Sequence, residues 1–335
     1  MKKIFFTILI IKLVFIATPS WSQDTQIRGF VDVLGKYETG DKLSFGFGEQ
    51  DLFITSVLSD RISFLGETVF KFDPLSHSEF SISVERVIID YNLKGNNDLL
   101  MGKVHTPLNY WNDTYHHGRL FFPTIERPLL FKAEIIPIHT VGVGVRGHDL
   151  GDLRFGYDLY IGNGIGSEDV KDNDKNKSIS MAVHVKPAGR LRLGLSWYND
   201  VISNGADLHG RTLDWKVKQN LLTASVSTFG KKVEILAEGT AGFNKTDTTG
   251  VTKSFASYVY AGYKVTPKVI PYLRYDYLHF QEGEIYYNKN NVSSVVAGIR
   301  IELNYLAVVK LEYQYEHSEL SDNTSTIMTQ FAIGF

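Results

Sequence analysis

The chain has 335 residues, 43% of them hydrophobic and 21% charged, with 35 Lys and Arg against 37 Asp and Glu for a formal net charge of −2. It has no cysteine, which excludes a thiolate nucleophile, cysteine-ligated zinc and any stability drawn from disulfides. A slightly acidic balance gives no support to nucleic-acid binding, and beyond the N-terminus no uncharged apolar run reaches the roughly eighteen residues that a membrane-crossing helix needs.

Residues 1–22, MKKIFFTILIIKLVFIATPSWS, begin with Lys2 and Lys3, continue as an apolar run and end with Ser20 and Ser22 framing a cut before Gln23. That is the pattern of a secretory signal peptide, leaving 23–335 as the mature domain. Lys12 interrupts the apolar run. At the centre of a membrane anchor it would cost about 2.5–3.5 kcal/mol, which favours a cleaved leader over an anchor helix. Without this segment's lysines the net charge moves from −2 to about −5.

From there to the C-terminus apolar residues recur at every second position, the mark of a strand with one apolar and one polar face. Sixteen such segments are predicted, at 26–36, 44–57, 61–73, 79–93, 97–104, 138–147, 152–163, 178–187, 190–199, 220–228, 232–243, 254–265, 268–280, 292–303, 306–317 and 325–335. In KLEYQYEH, Leu311, Tyr313 and Tyr315 oppose Lys310, Glu312, Gln314 and Glu316; in RLRLGLSWY, Leu191, Leu193, Leu195 and Trp197 oppose Arg190, Arg192, Ser196 and Tyr198. Segments of about ten residues suit a tilted membrane-spanning strand better than the five or six usual in soluble sheets. The alternation slips by one near Glu49–Gln50 and Glu85–Arg86, where bulges are expected.

Connections alternate between short (LSD, KGNN, HDLG, PAG, FGK, TP, NY) and long, polar ones. Short turns on one rim and long loops on the other describe an outer-membrane barrel, and an even strand number returns both termini to one side. The expected fold is therefore all-β: a transmembrane antiparallel barrel of about sixteen strands, in the outer membrane of a Gram-negative bacterium. The stretch HGRTLDWKVK leaves room for one further short strand. The chain ends in TQFAIGF, whose Phe331, Ile333 and Phe335 alternate. This end resembles the C-terminal insertion signal of bacterial outer-membrane proteins, which implies recognition by the barrel-assembly machinery.

The connection from His105 to Pro137 is too long and too aromatic for a simple surface loop. Its GKVHTPLNYW and TIERP resemble the Gly-Gln-Phe-Lys-Thr-Pro and Ile-Glu-Arg segments of the phosphate-selective porin O and P family, from Gly102 to about Arg127; the other strands match in pattern only. The resemblance implies a sixteen-stranded barrel whose long third extracellular loop folds into the lumen and sets an anion-selective constriction, and a homotrimeric assembly. Lys103, Thr106, Pro107, Glu126 and Arg127 fall on matching positions, whereas His105 stands where those porins carry lysine, which weighs against phosphate selectivity. The constriction candidates are Lys103, His105, Trp111, His116, His117, Arg119, Glu126, Arg127 and Lys132.

Strand parity supplies the lumen-lining candidates Arg154, Asp158, Arg190, Arg192, Arg274, Asp276, Arg300, Glu302, Lys310 and Glu312, with Arg86, Asp90, Arg146, Lys186, Glu234 and Glu238 on the same reckoning. Charged side chains facing lipid cost about 2–4 kcal/mol at mid-membrane, so alternation turns them inward and water follows. The expected function is a porin, a passive water-filled channel for small hydrophilic solutes or ions, leaning toward anions, surrounded by outer-membrane lipid and using no cofactor. Two alternatives stand beside it. One is a barrel enzyme of the lipase or protease type, for which His116, His117 and Asp113 offer no accompanying nucleophile signature. The other is a carbohydrate-selective porin using the loop aromatics. The three histidines His105, His116 and His117 do not by themselves make a metal site, which needs converging ligands.

Overall fold

The computed structural model describes residues 24–72, 80–115, 118–164, 172, 174–208, 211–287 and 289–335. The leader expected at 1–22 and the candidates His116 and His117 lie outside these residues. The strands are β1 (Asp24–Glu38), β2 (Ser44–Val57), β3 (Ile62–Phe72), β4 (Phe80–Lys94), β5 (Asn97–His105), β6 (His139–Leu150), β7 (Phe155–Gly162), β8 (Ser178–Ala188), β9 (Leu191–Ile202), β10 (Asp207–Leu208), β11 (Arg211–Thr212), β12 (Val217–Phe229), β13 (Val233–Thr246), β14 (Gly250–Tyr263), β15 (Val269–Phe280), β16 (Val292–Asn304), β17 (Ala307–Ser318) and β18 (Thr324–Gly334). Two short helices, α1 (Tyr110–Tyr115) and α2 (Leu129–Lys132), lie in the connection between β5 and β6.

Sixteen strands pair antiparallel in chain order and close, β1 against β18, into one barrel; β10 and β11 form a separate two-stranded ribbon. Closure satisfies every strand edge internally, the condition for crossing hydrocarbon with strands. No helix among the described residues is long and apolar enough to cross a membrane. The further short strand allowed in HGRTLDWKVK is the ribbon strand β11, outside the barrel, so the even count stands.

The alternation has the expected two faces. Along β17, Leu311, Tyr313 and Tyr315 are 48%, 47% and 40% exposed on the outer face, while Lys310 and Glu312, at 0% and 1%, point inward. Both expected bulges are present. The β1–β2 register shifts between Val31 and Val33, opposite Gly48–Glu49, and the β3–β4 register shifts between Glu67 and Thr68, passing over Glu85. Skipping one residue lets Glu85 and Arg86 both serve the inner face while Val84 and Val87 keep to the outer one. The predicted segment 152–163 begins late, because Gly151–Arg154 form a turn with Arg154 at φ 48°.

The seam depends on the C-terminus. Gly29 and Phe335 exchange backbone hydrogen bonds of 2.9 Å in both directions. A Cβ on Gly29 would lie 2.4 Å from the Phe335 ring, so only glycine admits the aromatic here. Phe331 pairs with Val33 and Val309 and is exposed on the outer face.

Candidate functional site

The β5–β6 connection is built around its own apolar residues. Leu108, Trp111, Phe122, Leu129, Leu130, Phe131, Ile135 and Ile136 form one buried cluster with Tyr198, Leu221, Leu236, Tyr258, Tyr260, Tyr272 and Val296 of β9 and β12–β16. Trp111 is fully buried, in edge contact with Phe122 at 5.2 Å and with Tyr258 at 5.9 Å. Trp111, Phe122 and Phe131 are packing groups in this cluster, while Tyr110 lines the cavity beside it. Two other connections join the cluster, through Ala206 and Leu213 beside the ribbon and through Tyr286 and Tyr287 after β15. Tyr287 Oη donates to the Ile135 carbonyl at 2.9 Å.

An irregular segment has backbone groups without ladder partners, which must be satisfied wherever they are buried. Inward-facing strand side chains satisfy them here. Glu238 on β13 accepts from the Tyr110 and Trp111 N–H groups and from Tyr258 Oη. Glu312 on β17 accepts from Ile125 N at 2.6 Å and from Tyr272 Oη at 2.6 Å. Asp276 on β15 accepts from Leu129 N at 3.2 Å, and Asp51 on β2 from Gly118 N at 3.2 Å. The cations take the carbonyls: Arg274 donates to Thr124 Oγ1 at 2.6 Å and the Glu126 carbonyl at 2.7 Å, Arg300 to the Pro123 carbonyl at 3.4 Å, and Lys310 to the Arg119 and Thr124 carbonyls at 2.8 and 3.2 Å. Arg300 also grips Glu234 with two bonds of 2.9 Å, and Arg274 pairs with Asp276 at 2.8 Å.

Arg274, Asp276, Arg300, Lys310 and Glu312 therefore point inward as expected from parity but are buried beneath the connection instead of facing open water. The physical reason is that a buried loop backbone needs donors and acceptors, and this wall supplies them. Glu302 stays partly exposed beside Arg300 at 3.1 Å.

Within the connection, Arg119 meets Asp32 at 3.3 Å and Glu126 at 3.2 Å, and Lys132 stands 3.9 Å from Glu126. Burial opposes ionisation of Glu126, but Arg119, Lys132 and Arg274 outweigh it and hold its pKa below the ordinary glutamate value. Arg127 is half-buried. His105 is buried, its ring 5.4 Å from that of His139, whose Nε2 lies 3.1 Å from Glu85. Lys103 departs from its expected place at the constriction. Its register pairs it with Val87 and Val141 on the outer face that carries Met101 and Val143, and its Nζ folds back onto the Val84 carbonyl at 2.8 Å. Both faces of β5 are apolar, Leu99 and Met101 on one and Leu100 and Val104 on the other, so parity in the sequence could not choose between them. Among the described residues no group of three His, Cys, Asp or Glu could hold a metal ion.

The wall from β2 to β9 is different. Two cavities of about 710 Å³ and 270 Å³ lie against it. The larger is lined by Arg146, Arg154, Lys186, Arg190 and Arg192 against Asp113, Asp149 and Asp158, with His148, His184, Tyr110 and Phe229. The smaller is lined by Arg86, Asp90, His105, Ser56 and Leu100, and shares Asp113 and Arg146 with the larger. Arg146 pairs with Asp158 at 2.5 Å, and Arg192 stacks over Tyr110 at 5.0 Å from the ring centre. Arg154 and Arg190 occupy short-turn positions at the rim, bonded to Asp149 at 2.9 Å and to the Phe229 carbonyl at 2.8 Å. Asp113 did not stand out as a channel residue in the sequence. It lies on α1, and only the folded connection brings it 3.5 Å from Arg146 and 3.7 Å from Arg192.

No protein-family model matches the sequence, and no curated protein matches it. The likeness is one of structure. OmpT of Vibrio cholerae, an outer membrane protein, matches with a TM-score of 0.66 at 15% identity, over 95% of this chain and 99% of that one. An anion-selective porin from Comamonas acidovorans matches at 0.68 and 12% identity, over 93% and 100%. The outer membrane channel DcaP of Acinetobacter baumannii matches at 0.63 and 12% identity, over 93% and 97%. The chain shares with these outer-membrane proteins the closed antiparallel barrel fold, here of sixteen strands. None of these comparisons bears out the phosphate-selective O and P family in particular.

Proposed function

We propose that the protein is an outer-membrane porin, a passive water-filled channel for small hydrophilic solutes, in which the β5–β6 connection narrows the lumen from one side. The observation that carries this reading is the division of the inner surface. The connection is bonded mainly to side chains of β13, β15, β16 and β17, with further contacts to Asp51 of β2 and Asp32 of β1, while charged cavities of about 710 and 270 Å³ remain against β2–β9. An anion lean follows from the larger cavity, where five cations face three carboxylates. The anion-selective porin among the structural matches supports the same direction.

Of the residues of the enzyme alternative, His116 and His117 lie outside the described ones. Asp113, the acidic member of the imagined catalytic group, is engaged with two arginines. A cleaved leader at 1–22, insertion through the C-terminal Phe335 strand and a trimeric assembly complete the proposal; OmpT of Vibrio cholerae has been described in a trimer form.

The test is single-channel recording of the folded protein in planar bilayers, with the reversal potential measured under a KCl gradient. Ohmic steps with a mild chloride preference are expected. Correctly folded protein that gives no steps would overturn the channel reading.

A further inference from the structure

We propose that the outer face of β12–β14 holds a phosphorylated acyl lipid: its headgroup phosphate sits on Lys218, Lys245 and Lys253, and one chain lies in an apolar furrow beneath them. The proposal goes beyond the channel reading and needs only that the barrel crosses a membrane.

Strand register sets the residues in rows. Lys218 of β12 stands directly opposite Lys245 of β13, and in the next row Lys253 of β14 stands opposite Phe243. All three side chains are exposed on the outer face, at the long-connection ends of their strands. Like charges directly opposite one another in a sheet are destabilising. None of these three ammonium groups has an ion-pair or hydrogen-bond partner among the described residues, so nothing within the chain offsets the repulsion. A phosphate monoester, with up to two charges and three acceptor oxygens, would offset it.

The row that holds Lys253 also carries Asn220 and Asn199, an outward amide pair bonded at 3.1 Å. Below it the wall opens into a furrow of about 700 Å³. Ala224, Gly239 and Ala241 form its floor, Leu195 and Trp197 one bank and Phe255 the other. Packing does not require the glycine, because a Cβ on Gly239 would meet nothing closer than 3.6 Å. The floor is thus lower than the barrel demands. Lys218 and Leu222 are separated by about 13 Å of strand, so a lipid whose phosphate rests on the lysines reaches the furrow with its chains. Apolar outer faces and rim lysines are each ordinary in a membrane barrel; here they are joined as a headgroup site and a chain site in one line.

Trp197 reports on the furrow. Protein carrying Trp215→Phe, which removes the other exposed tryptophan, is reconstituted into phosphatidylcholine vesicles holding a minor fraction of chain-brominated phosphatidic acid or the same fraction of chain-brominated phosphatidylcholine; Trp111 is fully buried and gives a constant background. Quenching is expected to show a preference for phosphatidic acid of about fivefold or more, the scale of one lysine beside an anionic lipid surface. Lys218→Gln with Lys245→Gln should abolish the preference. Lys231→Gln with Lys232→Gln, the same change in charge on the short turn between β12 and β13, should retain it. Gly239→Leu should reduce quenching by both lipids, and heat-modifiable migration on a gel verifies that each variant is folded. Equal quenching by the two lipids, a preference that survives loss of Lys218 and Lys245, or quenching untouched by Gly239→Leu would each overturn the assignment. Quenching by neither lipid would place a second copy of the chain over the furrow and overturn it as well. Conductance is read separately, so failure here leaves the channel reading intact.

Discussion

The two halves of the inner wall begin from the same sequence pattern and end with opposite uses. On β13–β17, Glu238, Arg274, Asp276, Arg300, Lys310 and Glu312 are buried, and they are bonded to the connection or to one another. On β2–β9, Arg86, Asp90, Arg146, Asp158, Lys186 and Arg192 line open cavities. A charged inward residue is therefore not by itself a channel residue. What separates the two kinds is whether a backbone group lies against them, because a buried N–H or carbonyl left unpaired costs more than a solvated charge gains from a surface partner.

That difference predicts that substitutions on the first half change stability and loop position, and on the second half change transport alone. The largest effect is expected from Arg274→Ala. It leaves Asp276 buried without its partner and strips donors from Thr124 and Glu126, a loss of roughly 3–5 kcal/mol by analogy with broken buried pairs. Urea unfolding in detergent would measure it, and a midpoint equal to that of wild type would show that the contact is not structural.

Next comes the contrast between the two faces of β17. Leu311→Arg places a charge against lipid at up to about 2–4 kcal/mol, whereas Gln314→Arg remains inward. Insertion yields that do not differ between the two variants would refute the assigned faces.

Glu238→Gln keeps the size but weakens the acceptor of two backbone N–H groups and the Tyr258 hydroxyl. About 1–3 kcal/mol of loop anchoring should be lost, seen as faster proteolysis within 106–137 and larger, noisier conductance steps. On the other half, Arg192→Gln should move the unfolding midpoint by no more than about 1 kcal/mol, the scale of an exposed cation–π contact, while lowering chloride preference.

The smallest effect concerns pH. The Glu126 carboxylate has its folded pKa depressed, so its contribution is complete above the ordinary glutamate range and is lost as pH falls through the depressed value. The Arg119–Glu126 contact should survive mild acid, and protease resistance of the connection should decline only below that range.

Much of this architecture was legible without coordinates. The lipid and lumen faces of β17, the two bulges and the even strand number follow from period-two alternation, which is a local property. Lys103 was misplaced because β5 is apolar on both faces, which removes the only cue parity offers. Asp113 was weighed only beside His116 and His117, because its partners Arg146 and Arg192 lie on β6 and β9 and no local pattern links them to α1. Parity placed Glu238 on the inner face, but its bond to Tyr110, across 128 positions of sequence, is equally out of reach of a local pattern.

By itself, then, the sequence determined that these strands have one face for hydrocarbon and one for polar groups, since a membrane imposes that choice on every residue separately. Which inward charges line open cavities and which hold the β5–β6 connection was decided only by the tertiary structure, because it depends on where the backbone of that connection comes to rest and which side chains satisfy it.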